Sequence, residues 1–221
     1  GIDNLPDIAD KPTEEDKKSI LDIKLDYEAL PDEGKGQISK EGVSELNKAL
    51  LKLEEIELNV EVNTKNETAA NIPDAHMMLQ SMTYDEAEKL KSGDISKYVL
   101  KMRVDEAEEL TKEQQEALNS VLDKRSKAGS QFDISIQKHV ISKSGDKNIQ
   151  TINELTKPVT LVFDVSDNQP EKGYKREWSA VNIHGAGEST SIKVLNDEDN
   201  DDSTVTVSSS LFSVYTLVYK D

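Results

Sequence analysis

The sequence predicts an α+β protein, with an N-terminal helical hairpin over residues 1–57 and an antiparallel β-sandwich over 58–221 that carries one or two inserted helices. Three observations lead there. Apolar residues recur every three or four positions up to Glu57 and every second position after it. Capping signatures at Thr83-Tyr84-Asp85-Glu86 and at Thr111 with Gln114 place helices near 83–92 and 112–127 inside the strand-rich part. The later strands are short, separated by turn residues, and do not alternate with helices as a parallel βαβ sheet would require.

Each element follows from local chemistry. Thr13 precedes Glu14, Glu15 and Asp16, a hydroxyl cap with acids where the helix dipole favours negative charge. Ile20, Ile23, Tyr27 and Leu30 then share a helix face, and Pro31-Asp32-Glu33-Gly34 breaks that helix. Ser39 caps a second helix whose stripe is Val43, Leu46, Leu50, Leu53 and Ile56. Leu58, Val60 and Val62 alternate with polar residues as a strand. Residues 64–82 read as loop with short strand. After the capped helix that ends near Gly93, Tyr98, Leu100, Met102 and Val104 form a half-buried strand. The second capped helix stops before Gly129. Strands follow around Phe132–Ile136, after Pro158, at Trp178–His184, Thr190–Leu195, Thr204–Val207 and Phe212–Tyr219, with Ser144-Gly145-Asp146 as a hairpin turn.

Composition removes several function classes. With 27 Lys and Arg against 44 Asp and Glu, the net charge is −17. Arg103, Arg125 and Arg176 lie far apart, so no cationic cluster is present to displace phosphate counterions. Such a field repels nucleic acid and anionic lipid alike. Cysteine is absent, which excludes disulfides, thiolate zinc sites and thiol nucleophiles. No stretch reaches 18 apolar residues and no signal-peptide pattern opens the chain, so an exported parent would be longer than this chain.

Both ends carry a resemblance. Ile2-Asp3-Asn4-Leu5-Pro6-Asp7, Asp16-Lys17-Lys18, Tyr27-Glu28-Ala29-Leu30 and the leucine-rich second helix resemble a helical spacer repeat of large cell-surface proteins of Gram-positive bacteria. Phe212-Ser213-Val214-Tyr215-Thr216-Leu217-Val218-Tyr219-Lys220-Asp221 resembles the closing strand of a β module from the same proteins, and Val181-Asn182-Ile183-His184-Gly185 fits that module too. The resemblance covers about the first 57 residues and roughly 130–221. It implies an extracellular, adhesin-like structural module at the cell surface or cell wall, and it carries no catalytic residues. The closing strand is also similar to domains that cleave themselves at a Phe–Ser bond after a histidine. Leu211 stands at that histidine's place, which removes the general base.

Each remaining candidate also has a plainer structural role. Asp197, Asp199 and Asp201 alternate like the first oxygen donors of a calcium loop, which makes calcium the one candidate metal and leaves no other cofactor expected. Asp202 and Ser208 occupy the positions where an EF-hand needs Gly and Glu, so a solvated hairpin loop is favoured. His76, His139 and His184 lack any metal-ligand spacing and are expected in hydrogen-bonded structural roles. Gly185-Ala186-Gly187 reads as a turn, Ser208-Ser209-Ser210 as strand-edge surface, and Trp178 as a core residue. Acid pairs such as Glu54-Glu55 and Glu108-Glu109 lack an aromatic sugar platform. Lysine–asparagine isopeptide bonds occur in surface β-domains of this class, but no spacing singles out a pair. The expectation is a non-catalytic extracellular module. Its partners would be neighbouring domains of the same polypeptide and an extracellular protein or glycan, with no nucleic acid and no membrane insertion. The alternative is a carbohydrate- or host-protein-binding module that uses loops near His184 or Asp197–Asp202.

Overall fold

Thr13 begins the first helix, α1 (Glu14–Glu28), with both halves of a capping box: its hydroxyl accepts from the Asp16 amide and the Asp16 carboxylate accepts from the Thr13 amide. The computed structural model describes residues 2, 5, 11–64, 70–107, 109–171, 175–185 and 190–221. Much of the Ile2–Asp7 motif, together with Glu108, Ala186 and Gly187, lies outside them. Helices α2 (Asp32–Gln37), α3 (Lys40–Leu50), α4 (Tyr84–Ser92) and α5 (Lys112–Val121) follow, with 3-10 segments at Ala75–Ser81 and Ser166–Asn168. The strands are β1 (Ile56–Asn63), β2 (Ala70–Asn71), β3 (Ile95–Glu106), β4 (Lys127–Ser142), β5 (Lys147–Ile152), β6 (Glu154–Asp164), β7 (Glu177–His184), β8 (Ser191–Asn196), β9 (Thr204–Leu211) and β10 (Val214–Lys220). The chain is therefore mixed α+β, as its periodicity indicates.

Strands pair in the order β1-β3-β4-β10-β7-β8 with β5 added on β4, and separately as β2-β6-β9. Strand β10 is antiparallel to both β4 and β7, and β7 is antiparallel to β8. By its contacts the chain divides into two units, 1–59 with 74–101 and 137–157, and 60–73 with 102–136 and 158–221. Glu57, the expected boundary, lies inside β1. Each unit draws on separated stretches because β1, β3, β4 and β6 each contribute residues to both.

In the first unit, Ile20, Leu21, Leu46, Leu50, Met77, Met78, Leu79 and Leu90 are fully or almost fully buried. The buried face of α1 differs from the predicted stripe. Lys24 is buried and Leu30 is 37% exposed. The Pro31–Gly34 break ends α1 but then winds into the short helix α2, whose N-cap is Pro31. Leu53 and Ile56 of the second stripe are buried beyond the end of α3, in the turn and at the start of β1. The segment read as loop contains the buried 3-10 turn Ala75–Ser81, where Met77, Met78 and Leu79 are consecutive. Three adjacent apolar residues have no helical period, which is why the pattern concealed it. Thr83 caps α4 as predicted, and Gly93 closes it at φ 79°, a left-handed conformation that glycine adopts without a Cβ penalty.

In the second unit, Met102, Val104, Phe132, Ile134, Ile136, Val159, Leu161 and Phe163 alternate inward. The Phe132 and Phe163 rings stack at 4.9 Å, between β4 and β6. Leu118 of α5 packs on Val181, Ile183 and Val218. Helix α5 ends at Val121, short of the predicted 127, and Gly129 lies within β4. Val60 and Val62, whose alternation predicted a strand, lie in β1 and are 41% and 38% exposed, because the outer end of β1 has both faces in solvent.

Candidate functional site

His184 ends β7 and Ser213 sits in the bend that opens β10. The β7–β10 register pairs Ile183 with Val214 and brings both residues to one place. His184 Nδ1 lies 3.2 Å from the Phe212 carbonyl oxygen, and the Ser213 hydroxyl donates to the Ile183 carbonyl. A histidine thus does reach the Phe212–Ser213 peptide, from the neighbouring strand rather than from position 211. It meets the carbonyl, while the serine proton rests on a peptide oxygen that is no base. The pair holds the bend.

Tyr215 completes that bend. Its phenol is shared between the Ser209 hydroxyl at 2.8 Å and the Leu211 carbonyl, and the Leu211 amide donates to Ser209 Oγ at 3.3 Å. Burial pushes the phenol well above its usual pKa, against a smaller pull from Ser209. Ser209 is 2% exposed, so the middle of Ser208-Ser209-Ser210 is core rather than surface. The signal for this was the Tyr215 spacing from Ser209 and Leu211, which has meaning only once the chain reverses.

Asp197, Asp199 and Asp201 lie in the connection between β8 and β9. Asp197 Oδ1 accepts from the Thr206 amide at 2.9 Å. Asp199 Oδ1 accepts from the Asp201 amide at 2.8 Å, and its Oδ2 accepts from the hydroxyls of Thr204 and Thr206. Asp201 Oδ1 accepts from the amide and hydroxyl of Ser203. Each aspartate accepts from the amide two residues on, so the alternation that suggested a calcium loop shapes the β8–β9 connection. That connection is not the expected hairpin, because β8 and β9 belong to separate sheets. Among the described residues no group of three or more His, Asp or Glu side chains is arranged to hold a metal ion. Burial raises the Asp197 pKa beyond what its amide bonds recover. For Asp199 burial also raises it, but the bonds from Thr206, Asp201 and Thr204 together outweigh that and lower it.

Next to this connection, Trp178 is half-buried rather than core. Its ring meets Tyr219 at 5.1 Å between centroids, and the Arg176 guanidinium lies 3.9 Å from the Tyr219 centroid and 5.7 Å from that of Trp178. Arg176 also clamps the Asp221 carboxylate at 2.6 and 3.1 Å. A cleft of about 220 Å³ is lined by Arg176, Trp178, Asp197, Asp199 and Asp201.

Buried charge concentrates in the first unit. Lys138 Nζ bonds Glu86 and the Ser81 carbonyl. Lys24 Nζ bonds Glu28 Oε1 at 2.7 Å and reaches toward the Leu79 carbonyl, while Lys35 takes Glu28 Oε2. Burial lowers the Lys24 pKa and the Glu28 carboxylate opposes it. These amines face carboxylates and peptide oxygens. His76 bonds Ser44 and His139 bonds Gln137, and Glu55 pairs with Lys17. Comparisons with protein families, with curated proteins and with solved structures return no match. No helix among the described residues is long and apolar enough to cross a membrane.

Proposed function

We propose that this chain is a non-catalytic structural or adhesive module of an extracellular cell-surface protein of Gram-positive bacteria. One observation carries the reading: the side chains most suggestive of chemistry are consumed in closing backbone. His184 and Ser213 bond peptide carbonyls, and Asp199 and Asp201 bind amides and hydroxyls in and beside their own loop. The resemblance of both chain ends to spacer and β modules supports the compartment. A helical hairpin ahead of a β-sandwich remains the architecture proposed, supported by the Phe132–Phe163 stack between strands of the two sheets. An antibody raised against the chain should label intact cells of the source organism. Labelling only after permeabilisation would overturn the extracellular reading.

A second reading is a binding module for a glycan or protein at the Trp178 cleft. It is favoured by the half-exposed aromatic beside carboxylates, the combination that stacks on and hydrogen-bonds a sugar. Glycan-array binding that is lost in Trp178→Ala would establish it, and an empty array would remove the glycan version.

A further inference from the structure

Strand β5 is an exposed edge, whereas the edge strand β9, equally free of acid, proline and glycine, buries alternate residues. Among the described residues β5 pairs with β4 alone, so its other side presents unpaired amide and carbonyl groups. Five of its residues are exposed, including Ile149 at 52%. Its sequence, Lys-Asn-Ile-Gln-Thr-Ile, has no acid, no proline and no glycine, although the chain holds 44 acidic residues. The common protections of a free edge are missing apart from Lys147 at its start. By contrast, β1 carries Glu57 and Glu61, and β8 carries Lys193 in its middle.

A cleft of about 620 Å³ runs beside it, between α4 and the β4–β5 hairpin, lined by the carboxylates of Asp85, Glu86, Asp94 and Asp146, by Asn148 and Gln150, and by the cations Lys89 and Lys147 among others. The hairpin that frames it is braced. The Ser142 amide donates to the Asp146 carbonyl at 2.9 Å, the Lys143 amide donates to the Asp94 carbonyl at 2.7 Å, and Gly145 turns at φ 93°. Glu86 is neutralised by Lys138, and Asp85 is paired with Lys89. Asp94 and Asp146 accept hydrogen bonds from Ser92 and Ser144 and have no Lys or Arg ion-pair partner among the described residues.

We propose that β5 is a docking edge for an extended peptide segment of another protein that carries lysine or arginine at alternate positions. The main chain of that peptide would add as a further strand. Its side chains on one face would enter the cleft, where Asn148 and Gln150 offer amides and Asp94 and Asp146 offer unpaired charge. A second copy of this chain is the poorer occupant, because two bodies of charge −17 repel. The inference does not depend on the compartment.

The test uses the full chain and a fluorescein-labelled octapeptide of alternating lysine and valine, with a centrally proline-substituted peptide as control, at about 0.15 M salt. Successive strand residues point their N–H groups to opposite sides. Of Ile149→Pro and Gln150→Pro, one therefore breaks the β4 ladder and lowers the melting temperature, while the other removes a free-edge donor and leaves it unchanged. The expected result is saturable binding by fluorescence anisotropy, weakened about tenfold in the variant of unchanged melting temperature and about threefold in Asp94→Asn/Asp146→Asn. Equal binding of the proline peptide, equal binding by both proline variants, or no binding up to about 1 mM would overturn it. A concentration-dependent dimer that the same edge variant abolishes would overturn it in favour of self-pairing.

Discussion

Lys138 Nζ lies 2.8 Å from Glu86 Oε1 and 3.0 Å from Oε2, with 2% and 11% of the two side chains exposed. Glu86 also caps α4 through the Thr83 amide, so one carboxylate ties the start of that helix to β4. Removing the cation alone leaves a buried, uncompensated anion. Lys138→Met should destabilise by about 3–5 kcal/mol, and Glu86→Gln in the Lys138→Met background should recover part of it. Urea denaturation measures both. Equal stability of the two variants would show that the carboxylate finds solvent.

Lys24 should behave oppositely. It is fully buried, but Glu28 keeps Lys35 as a partner when Lys24 is removed. Lys24→Met should therefore stabilise by about 1–4 kcal/mol, since an apolar side chain of similar volume avoids burying a charge. The lowered Lys24 pKa adds a pH signature. The unfolded chain binds this proton more tightly, so the lysine's penalty eases as pH rises from the folded toward the unfolded pKa near 10.5. The stability gap between variant and parent should narrow over that range in urea melts.

Tyr215→Phe keeps the ring against Phe163 and removes only the hydroxyl. The Leu211 carbonyl loses that donor where the chain turns into β10. A cost of about 1–3 kcal/mol is expected. Ser209→Ala should be less than additive with it, because Ser209 and Tyr215 share one hydrogen bond. A fully additive double variant in urea melts would separate the two.

The aspartates of the β8–β9 connection should split by position. Asp199 has a lowered pKa, so its contribution is present above about 3.8 and is lost as pH falls through the lower folded value. Asp197 has a raised pKa, so its contribution is present below 3.8 and is lost as pH rises through the folded value. At pH 7, Asp199→Asn should lower the melting temperature by about 2–4 °C, whereas Asp197→Asn should leave it unchanged or raise it. Calorimetry distinguishes them. A calcium-dependent rise in melting temperature would instead mean that these carboxylates leave their amide and hydroxyl partners for a cation.

Sequence by itself determined whatever is settled within a few residues. Thr13, Ser39, Thr83 and Thr111 each cap the helix that follows, because the orphan amides of a first turn lie within reach of a side chain at the cap. Alternation in Tyr98–Val104 and Val159–Val165 likewise marked strands and their buried faces. Tertiary structure alone decided what depends on distant partners. Lys24 occupies a core position because Glu28 pairs with its ammonium and the fold brings the Leu79 carbonyl, 55 residues on, to within 3.4 Å of it. His184 finds Phe212 through the β7–β10 register, and Tyr215 finds Ser209 across a chain reversal. The valines of β1 alternate as buried strands do, yet they stay exposed because nothing among the described residues packs over them. Periodicity reports which face a strand could bury, and only the fold supplies the surface that covers it.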